Sequence, residues 1–294
     1  MKLFITGASG LVGSAVTTEL LSHGYSILAL ARSDKTAETL EKKGVEVIRG
    51  VFSSPETLAA GVSQADGVIH LGFVHDFNHF PESLKTDKAV IAAILEALKG
   101  TDKPFIMISV NSLDTEFADE DTPYSQAPAA VNRTLNEKFA FDFAAANHLN
   151  VMSVRLPPTV HGHTDFRGFI PIIVAGDKKY GSAIYLGKGD NLWSAVNVAD
   201  AATLIRLALE KGKPGARYNA IGESGIAFKT IAEAIGKKYG LPVKSVTPEE
   251  GAKVIGVLVG FAGRGQKVSS EKTKKELGWE VKGAGLLEDI KNFY

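Results

Sequence analysis

The chain of 294 residues carries 33 basic and 33 acidic side chains and is 45% hydrophobic, enough for one large domain or for a large and a small lobe sharing an interface. Zero formal net charge gives no overall field toward nucleic acid or an anionic membrane surface, and points to small, locally recognised ligands. The absence of Cys excludes disulfides, thiolate metal sites and a Cys nucleophile. The opening MKLFITGASG enters a strand and a glycine turn at once, leaving no room for a signal peptide. The longest apolar run, VIGVLVGFAG at 254–263, is interrupted by glycines and falls well short of the ~20 residues that span a bilayer. A cytoplasmic location is the expectation.

Strands and helices alternate through the first half. KLFITG at 2–7 reads as a buried strand, a short apolar run bounded by Gly that suits a parallel sheet covered on both faces. The helix LVGSAVTTELLSHG follows, then the strand YSILALAR, the helix KTAETLEKKG, the strand VEVIRG, the helix SPETLAAGVSQ and the strand GVIHLGF. Pro55, after Ser53 and Ser54, fits a proline in a helix's first turn preceded by a capping hydroxyl. A long helix is expected from beyond Leu84 to about Lys99, then the strand PFIMISV, a helix within 129–150 and the strand VMSVRLP. Repeated βαβ units imply a parallel α/β sheet with right-handed crossovers, a Rossmann-type doubly wound arrangement. After Pro157 the Pro-, Gly- and His-rich RLPPTVHGHTDFRGFIP reads as an excursion, and WSAVNVADAATLIRLALEKG as a strand and helix that rejoin the sheet. The expected division is residues 1–156 plus 190–221 as the dinucleotide-binding domain, with 157–189 plus 222–294 as a smaller, interleaved substrate lobe.

TGASGLVG carries the strongest chemical signal. Gly7 permits a tight turn, Gly10 lets backbone approach a pyrophosphate and Gly13 lets the helix lie on the sheet, with Ser9, Leu11 and Val12 between and beside them at the helix N-terminus. The second strand ends ALARSDK. Arg32 and the Ser33 hydroxyl suit the extra phosphate of NADP(H), the favoured cofactor; the other reading is a solvated Arg32, with Asp34 bonding the ribose of NAD(H).

TGASGLVG, DGVIHLGF, VRLPPTVHG, VNVADAA and ELGWE, in that order over residues 4 to about 280, resemble the extended or atypical short-chain dehydrogenase/reductases, the NAD-dependent epimerase/dehydratase superfamily. HLGFVHDF, VRLPPTVHG and KTKKELGW resemble more narrowly a fungal and bacterial branch of aldehyde or carbonyl reductases. The resemblance implies a nicotinamide cofactor that also meets Leu71, Gly72, Phe73 and Pro157, a small carbonyl substrate, and a monomer or homodimer. It also implies a Tyr and a Lys at i and i+4 on the helix within 129–150, with an orienting Ser upstream, at Ser109 or Ser112.

Neither Tyr nor Lys stands there in that arrangement. Taking Ala140 as the small residue that packs toward the sheet three positions after the Lys puts Glu137 at the Lys place and Arg133 at the Tyr place. A register one step on pairs Thr134 with Lys138, but Leu135, Phe139 and Phe143 look like the core stripe, and a Thr hydroxyl is far too weak an acid to replace Tyr. Arg133 can polarise a carbonyl but cannot donate its proton. Glu137 is expected to bond the ribose hydroxyls. The bland alternative is an exposed i,i+4 ion pair worth a few tenths of a kcal/mol.

The proton then has to come from elsewhere. Tyr124, His75, His79, His161, His163 and water are candidates, imidazoles titrating in the useful range. His75, Asp76 and His79 form a loose H-D-x-x-H read as loop residues, not as a metal site. Phe73, Phe77 and Phe80 with Trp193 suggest an aromatic-walled substrate pocket. Three functions compete: an NAD(P)H-dependent reductase of aldehydes or other small carbonyls, a catalytically silent dinucleotide-binding sensor or interaction protein, and a nucleotide-sugar epimerase or dehydratase.

Overall fold

The computed structural model describes residues 1–111, 115–125, 127 and 132–294. The first half builds β1 (Lys2–Thr6), α1 (Leu11–Ser22), β2 (Ser26–Ala31), α2 (Asp34–Glu41), β3 (Glu46–Arg49), α3 (Pro55–Ser63), β4 (Gly67–His70), α4 (Phe80–Leu98) and β5 (Phe105–Val110). There follow β6 (Phe117–Ala118), α5 (Thr134–Asn147), β7 (Val151–Leu156), β8 (Thr159–His161), α6 (Phe169–Tyr180), β9 (Ala183–Leu186), β10 (Leu192–Asn197), α7 (Val198–Lys211) and β11 (Arg217–Asn219). The last part holds β12 (Glu223–Ala227), α8 (Phe228–Tyr239), β13 (Val243–Val246), α9 (Pro248–Ile255), α10 (Val259–Ala262), β14 (Lys267–Val268), α11 (Glu271–Leu277) and α12 (Leu286–Asn292).

Seven strands form the central sheet in the order β11-β7-β5-β4-β1-β2-β3, every pairing parallel. The order reverses between β1 and β4, the point where a doubly wound sheet opens a crevice at the carboxyl ends of its strands. Both faces are covered, so the inner strands β1, β4 and β5 are almost wholly buried and read as continuous apolar runs. One face packs Leu3, Ile5, Ile69 and Val154 against Val16 and Leu20 of α1 and Leu204 and Ile205 of α7. The other packs Phe4, Val68, Phe105 and Met107 against Leu58 of α3, Ile91 and Ile94 of α4 and Ala140 of α5.

A third core, with Ile170, Ile173, Trp193, Phe228, Ile231 and Ile290, belongs to the region built from α6, β9, β10, α8, α9 and α12. The strand expected to rejoin the central sheet does not. β10 pairs with β8 and β12 in a separate three-stranded sheet, because Trp193 and Ala195 feed this third core; β11 is the strand that returns to the central sheet. Two further differences are local. Helix α4 starts at Phe80 with Pro81 in its first turn, and Ser54 hydrogen-bonds the Thr57 hydroxyl instead of capping the backbone of α3. No described helix is long and apolar enough to cross a membrane.

Asp177, in the last turn of α6, is fully buried and accepts one hydrogen bond, from the Ile184 N–H at 3.2 Å. Its Oδ2 has no hydrogen-bond partner, and the C-terminal end of a helix repels a carboxylate. Burial raises its pKa to about 7. From an unfolded value near ~4 up to about 7, the folded chain holds a proton that the unfolded chain has released, so stability falls as pH rises through that window and is flat above it. Asp177→Asn should therefore be nearly neutral at about pH 4.5 and stabilising by roughly 1–2 kcal/mol at about pH 8, the orphaned amide N–H taking back part of the gain. Urea midpoints at the two pH values measure it, and equal shifts at both would show that Asp177 holds no proton at either.

Candidate active site

The nucleotide half is built where β1 runs into α1. Gly7 adopts φ +76°, and a Cβ there would lie 2.6 Å from the Gly72 nitrogen, so the turn is wedged against the segment leaving β4. A Cβ on Gly13 would sit 2.0 Å from the Gly7 carbonyl oxygen, which is how closely α1 crosses the turn. Gly10 differs: it is exposed, donates its N–H to the Gly7 carbonyl at 3.0 Å, and a Cβ would meet only that oxygen, at 3.4 Å. Its outer side is open. Helix α1 has neither a side-chain cap nor an acidic residue in its first turn, leaving its N–H groups and partial positive charge for an anion. Ser9 is exposed and Leu11 and Val12 half-buried at this same end. These residues fit a dinucleotide pyrophosphate.

At the end of β2, Arg32 is exposed and makes no ion pair among the described residues. The Ser33 hydroxyl caps α2, accepting from the Thr36 N–H at 3.3 Å. Asp34, the other candidate for the ribose, pairs with Arg49 at 2.9 Å.

The other half lies at the ends of β4, β5 and β7 and the start of α5. Leu71, Gly72 and Phe73 leave β4, and Pro157, buried, follows β7. The Arg133 guanidinium stacks on Phe73, 4.0 Å from the ring centroid, and lies 3.7 Å from the Asp87 carboxylate of α4. Its Nε is buried with no partner. Burial lowers the Arg133 pKa and the Asp87 charge opposes that; the guanidinium stays charged in any working pH range. Burial by itself would raise the Asp87 pKa, but Arg133, His70 and Asn136 override it and hold the carboxyl below its ordinary value. Asp87 is the hub of a buried chain: His70 Nδ1 meets the Thr6 hydroxyl at 2.6 Å, its Nε2 meets Asp87 at 3.3 Å, and the Asn136 amide donates to Asp87 at 2.7 Å.

Glu137 is not in the cleft. It turns onto β7, fully buried, where it accepts from Arg155 Nη2 at 2.6 Å, from Arg155 Nε at 3.1 Å and from the Ser153 hydroxyl. Arg217 of β11 stands 3.8 Å away. The Arg133–Glu137 ion pair weighed as the bland alternative does not form either, because α5 starts at Thr134 and presents Glu137 to the sheet while Arg133 faces Phe73 and Asp87. In the alternative register, Thr134 is buried and bonded to Asn132 and Ser125, and Lys138 is an exposed partner of Asp142. Tyr124 lies on the far side of this ion cluster, its hydroxyl accepting from Arg217 at 2.7 Å; burial raises its pKa.

Ser109 is buried at the end of β5 with its hydroxyl unpartnered, while Ser112 lies outside the described residues. Asn111, which no sequence motif singles out, is 7% exposed with neither its amide nitrogen nor its oxygen bonded. Unpaired buried polar atoms cost free energy. Three residues with such atoms, Ser109, Asn111 and Arg133, around the carboxyl ends of the central strands mark a place that a ligand completes.

The aromatic wall is present with changed membership. Phe77 lies within 6.0 Å of Phe80 and of Phe169 and 6.3 Å from Phe261, and Phe73 lies 5.9 Å from Phe80. Trp193 is behind it, buried, with its N–H on Thr159 and its ring beside Phe169 and Phe228. Phe169 and Phe261 come from the region of the third core. His75 packs edge-on to Phe73 with ring centroids 5.0 Å apart. His79 pairs with Asp76 at 2.9 Å on an exposed turn, His161 is sealed against Asp289 at 2.6 Å, and His163 sits outside beside Phe293. Among the described residues no group of three His, Asp or Glu is placed to hold a metal.

A doubly wound sheet with an open glycine turn at its switch point, and unpaired polar groups across the strand ends, defines a nicotinamide-dinucleotide-binding protein. The NAD dependent epimerase/dehydratase family model matches residues 3–221, and the chain belongs to that family as an NAD-dependent oxidoreductase. It is similar to an uncharacterized protein of Saccharomyces cerevisiae, 41% identical over 298 residues that cover 100% of this chain and 99% of the relative. Vestitone reductase of Medicago sativa is 28% identical over 256 residues, covering 74% of this chain and 76% of that one. Among solved structures, dTDP-glucose 4,6-dehydratase of Bacillus anthracis in complex with NAD superposes with a TM-score of 0.79 at 19% identity, covering 100% of this chain and 95% of that one, a likeness of fold.

Proposed function

We propose that this chain is an NADPH-dependent reductase of aldehydes or other small carbonyl compounds, with Arg133 polarising the carbonyl oxygen. The observation that carries this reading is the Arg133 guanidinium on Phe73, with an unpartnered Nε–H, facing an aromatic wall. Fixed donors aimed at the carbonyl oxygen stabilise negative charge as it develops there. Asn111 and Ser109 supply further unpartnered donors at the carboxyl end of β5. The wall of Phe77, Phe80, Phe169 and Phe261 suits an apolar carbonyl rather than a sugar diphosphate. Reductases among the relatives, such as vestitone reductase, are consistent with this chemistry. The dinucleotide, when bound along Gly7, Gly10 and Gly13, supplies the hydride.

Arg133 holds the place where the resemblance expects the Tyr and cannot give up a proton in its stead, so the donor has to be another group.

Purified protein is expected to oxidise NADPH in the presence of at least one aldehyde of an aliphatic and aromatic panel. Tight NADPH binding with no turnover across the panel would replace the reductase by a silent dinucleotide sensor. Arg32, unpaired beside a carboxylate already engaged by Arg49, favours the 2′-phosphate of NADPH. Arg32→Ala should weaken NADPH roughly ten- to a hundred-fold and NADH by less than about threefold. Equal weakening of the two cofactors in binding titrations contradicts the phosphate assignment.

A further inference from the structure

We propose that His75 gives its proton to the substrate oxygen at this site, beside an Arg133 that holds the oxygen. The inference rests on the carbonyl-reductase reading and names the donor that reading lacks. His75 and Arg133 share one platform. The guanidinium lies on the face of Phe73 at 4.0 Å and the imidazole meets the same ring edge-on at 5.0 Å, with an interplanar angle of 72°. Phe77, 6.3 Å from the imidazole, flanks it on the side of the aromatic wall.

The competing donors are spent elsewhere. His70 is bonded at both ring nitrogens, by Thr6 and Asp87. His161 is bonded to Asp289 through Nδ1 and, although its Nε2 has no partner, it is 1% exposed and sealed from the mouth; His163 lies outside beside Phe293, His79 is held by Asp76, and the Tyr124 hydroxyl is held by Arg217 with a raised pKa. No hydrogen bond joins the His75 ring to another side chain among the described residues, and the residue is exposed, so that solvent can reprotonate a spent imidazole.

Loss of hydration against its aromatic neighbours, and next the Arg133 charge, lower the His75 pKa, while a Phe73 backbone bond and the Asp87 charge oppose them. A lowered pKa makes the imidazolium a stronger acid than a free one. As the carbonyl carbon accepts the hydride and its two electrons, the C–O π pair moves onto oxygen. That oxygen forms an O–H bond with the imidazolium proton, leaving a neutral imidazole and an alcohol. Water returns the proton to His75; a reduced dinucleotide, when bound, would supply the hydride of each turnover.

Two measurements test the assignment. Single-turnover hydride transfer in the full chain should fall as pH rises through the His75 pKa, below ~6.5. His75→Gln should lower the rate roughly 10²-fold, remove that limb and leave NADPH affinity within about twofold, because a ring at the mouth is not needed for cofactor binding. Separately, NMR titration of the chain without substrate should place the His75 imidazole below the usual range and move it up in Arg133→Met. A His75 that titrates normally, or is indifferent to Arg133→Met, overturns the coupling on which the assignment stands. Turnover that survives His75→Gln with its pH limb intact removes this inference alone. Absence of any turnover in the unsubstituted chain removes the reductase reading, and the donor with it.

Discussion

Arg133→Met is expected to lower kcat/KM for the best carbonyl substrate by about 10²–10³-fold, the range for deleting one charge-stabilising donor from an active site. The effect should lie in the hydride-transfer step, because the guanidinium meets the oxygen most strongly when it carries negative charge. Met keeps an apolar stem on the Phe73 ring, so the loss reports the charge rather than the packing. Stability should change less. Asp87 loses its cation at 3.7 Å but keeps His70 and the Asn136 amide, and a loss of roughly 1–2 kcal/mol is expected for a partly satisfied buried carboxylate. Arg133→Met combined with Asp87→Asn should recover most of that stability and none of the rate. Rapid-mixing measurements of NADPH oxidation with thermal unfolding of the same variants separate the two, and a rate within threefold of the unsubstituted chain would return Arg133 to the status of a structural ion pair.

The large sheet was legible in the sequence because parallel strands covered on both faces must be continuous apolar runs, and KLFITG, GVIHLGF and PFIMISV are such runs. The glycine turn was legible for the same kind of reason: φ +76° at Gly7 and a 2.0 Å approach at Gly13 admit no side chain, so the sequence has to record them. The register of α5 was not. Leu135, Phe139 and Phe143 look like the buried stripe, yet the buried residues are Thr134, Asn136, Glu137, Ala140 and Ala144. Phe139 and Phe143 lie at the flank under Lys88 and Lys99, where an aromatic face and a Lys stem cover one another. Apolar periodicity finds a core stripe only when the core is apolar, and here polar partners on α4 and β7 paid for two polar residues in it.

A signal for those partners did exist. Asp87 falls on the apolar spacing of α4 that runs through Leu84, Ile91, Ile94 and Leu98, and a carboxylate in such a stripe implies a buried counterpart. Arg155 inside the strand VMSVRL asks the same question of its neighbours. The aromatic wall was half legible, since Phe73, Phe77 and Phe80 are close in sequence. Phe169 and Phe261 come from elements brought together only by tertiary packing, and Phe261 lies in the glycine-broken run at 254–263 that composition alone describes as merely apolar.

Glu137→Ala is expected to cost about 3–5 kcal/mol of stability, the loss typical of removing one partner from a fully buried ion pair. It leaves Arg155, 1% exposed, without its carboxylate, and removes the acceptor of the Ser153 hydroxyl. In a chain of this size the melting temperature should fall by on the order of 10 °C. The joint variant Glu137→Leu with Arg155→Met should recover most of the loss, since an apolar pair of similar volume avoids the desolvation of both ions. Arg217, 3.8 Å from the carboxylate and partly exposed, can turn to solvent in that variant, so its charge does not prevent the recovery. The position of Glu137 decides between two roles with opposite signatures. A residue that bonds the ribose would raise the KM for NADPH and leave the melting temperature nearly unchanged. A residue that fastens α5 to β7 lowers the melting temperature and leaves the KM of the folded fraction unchanged, and because Arg133 immediately precedes the same helix, that fastening fixes where the charge proposed to polarise the carbonyl stands. Denaturant midpoints for Glu137→Ala and the joint variant, with NADPH titrations below the transition, measure both signatures; a Glu137→Ala protein within about 1 kcal/mol of the unsubstituted chain would show that the ion pair does not hold the helix.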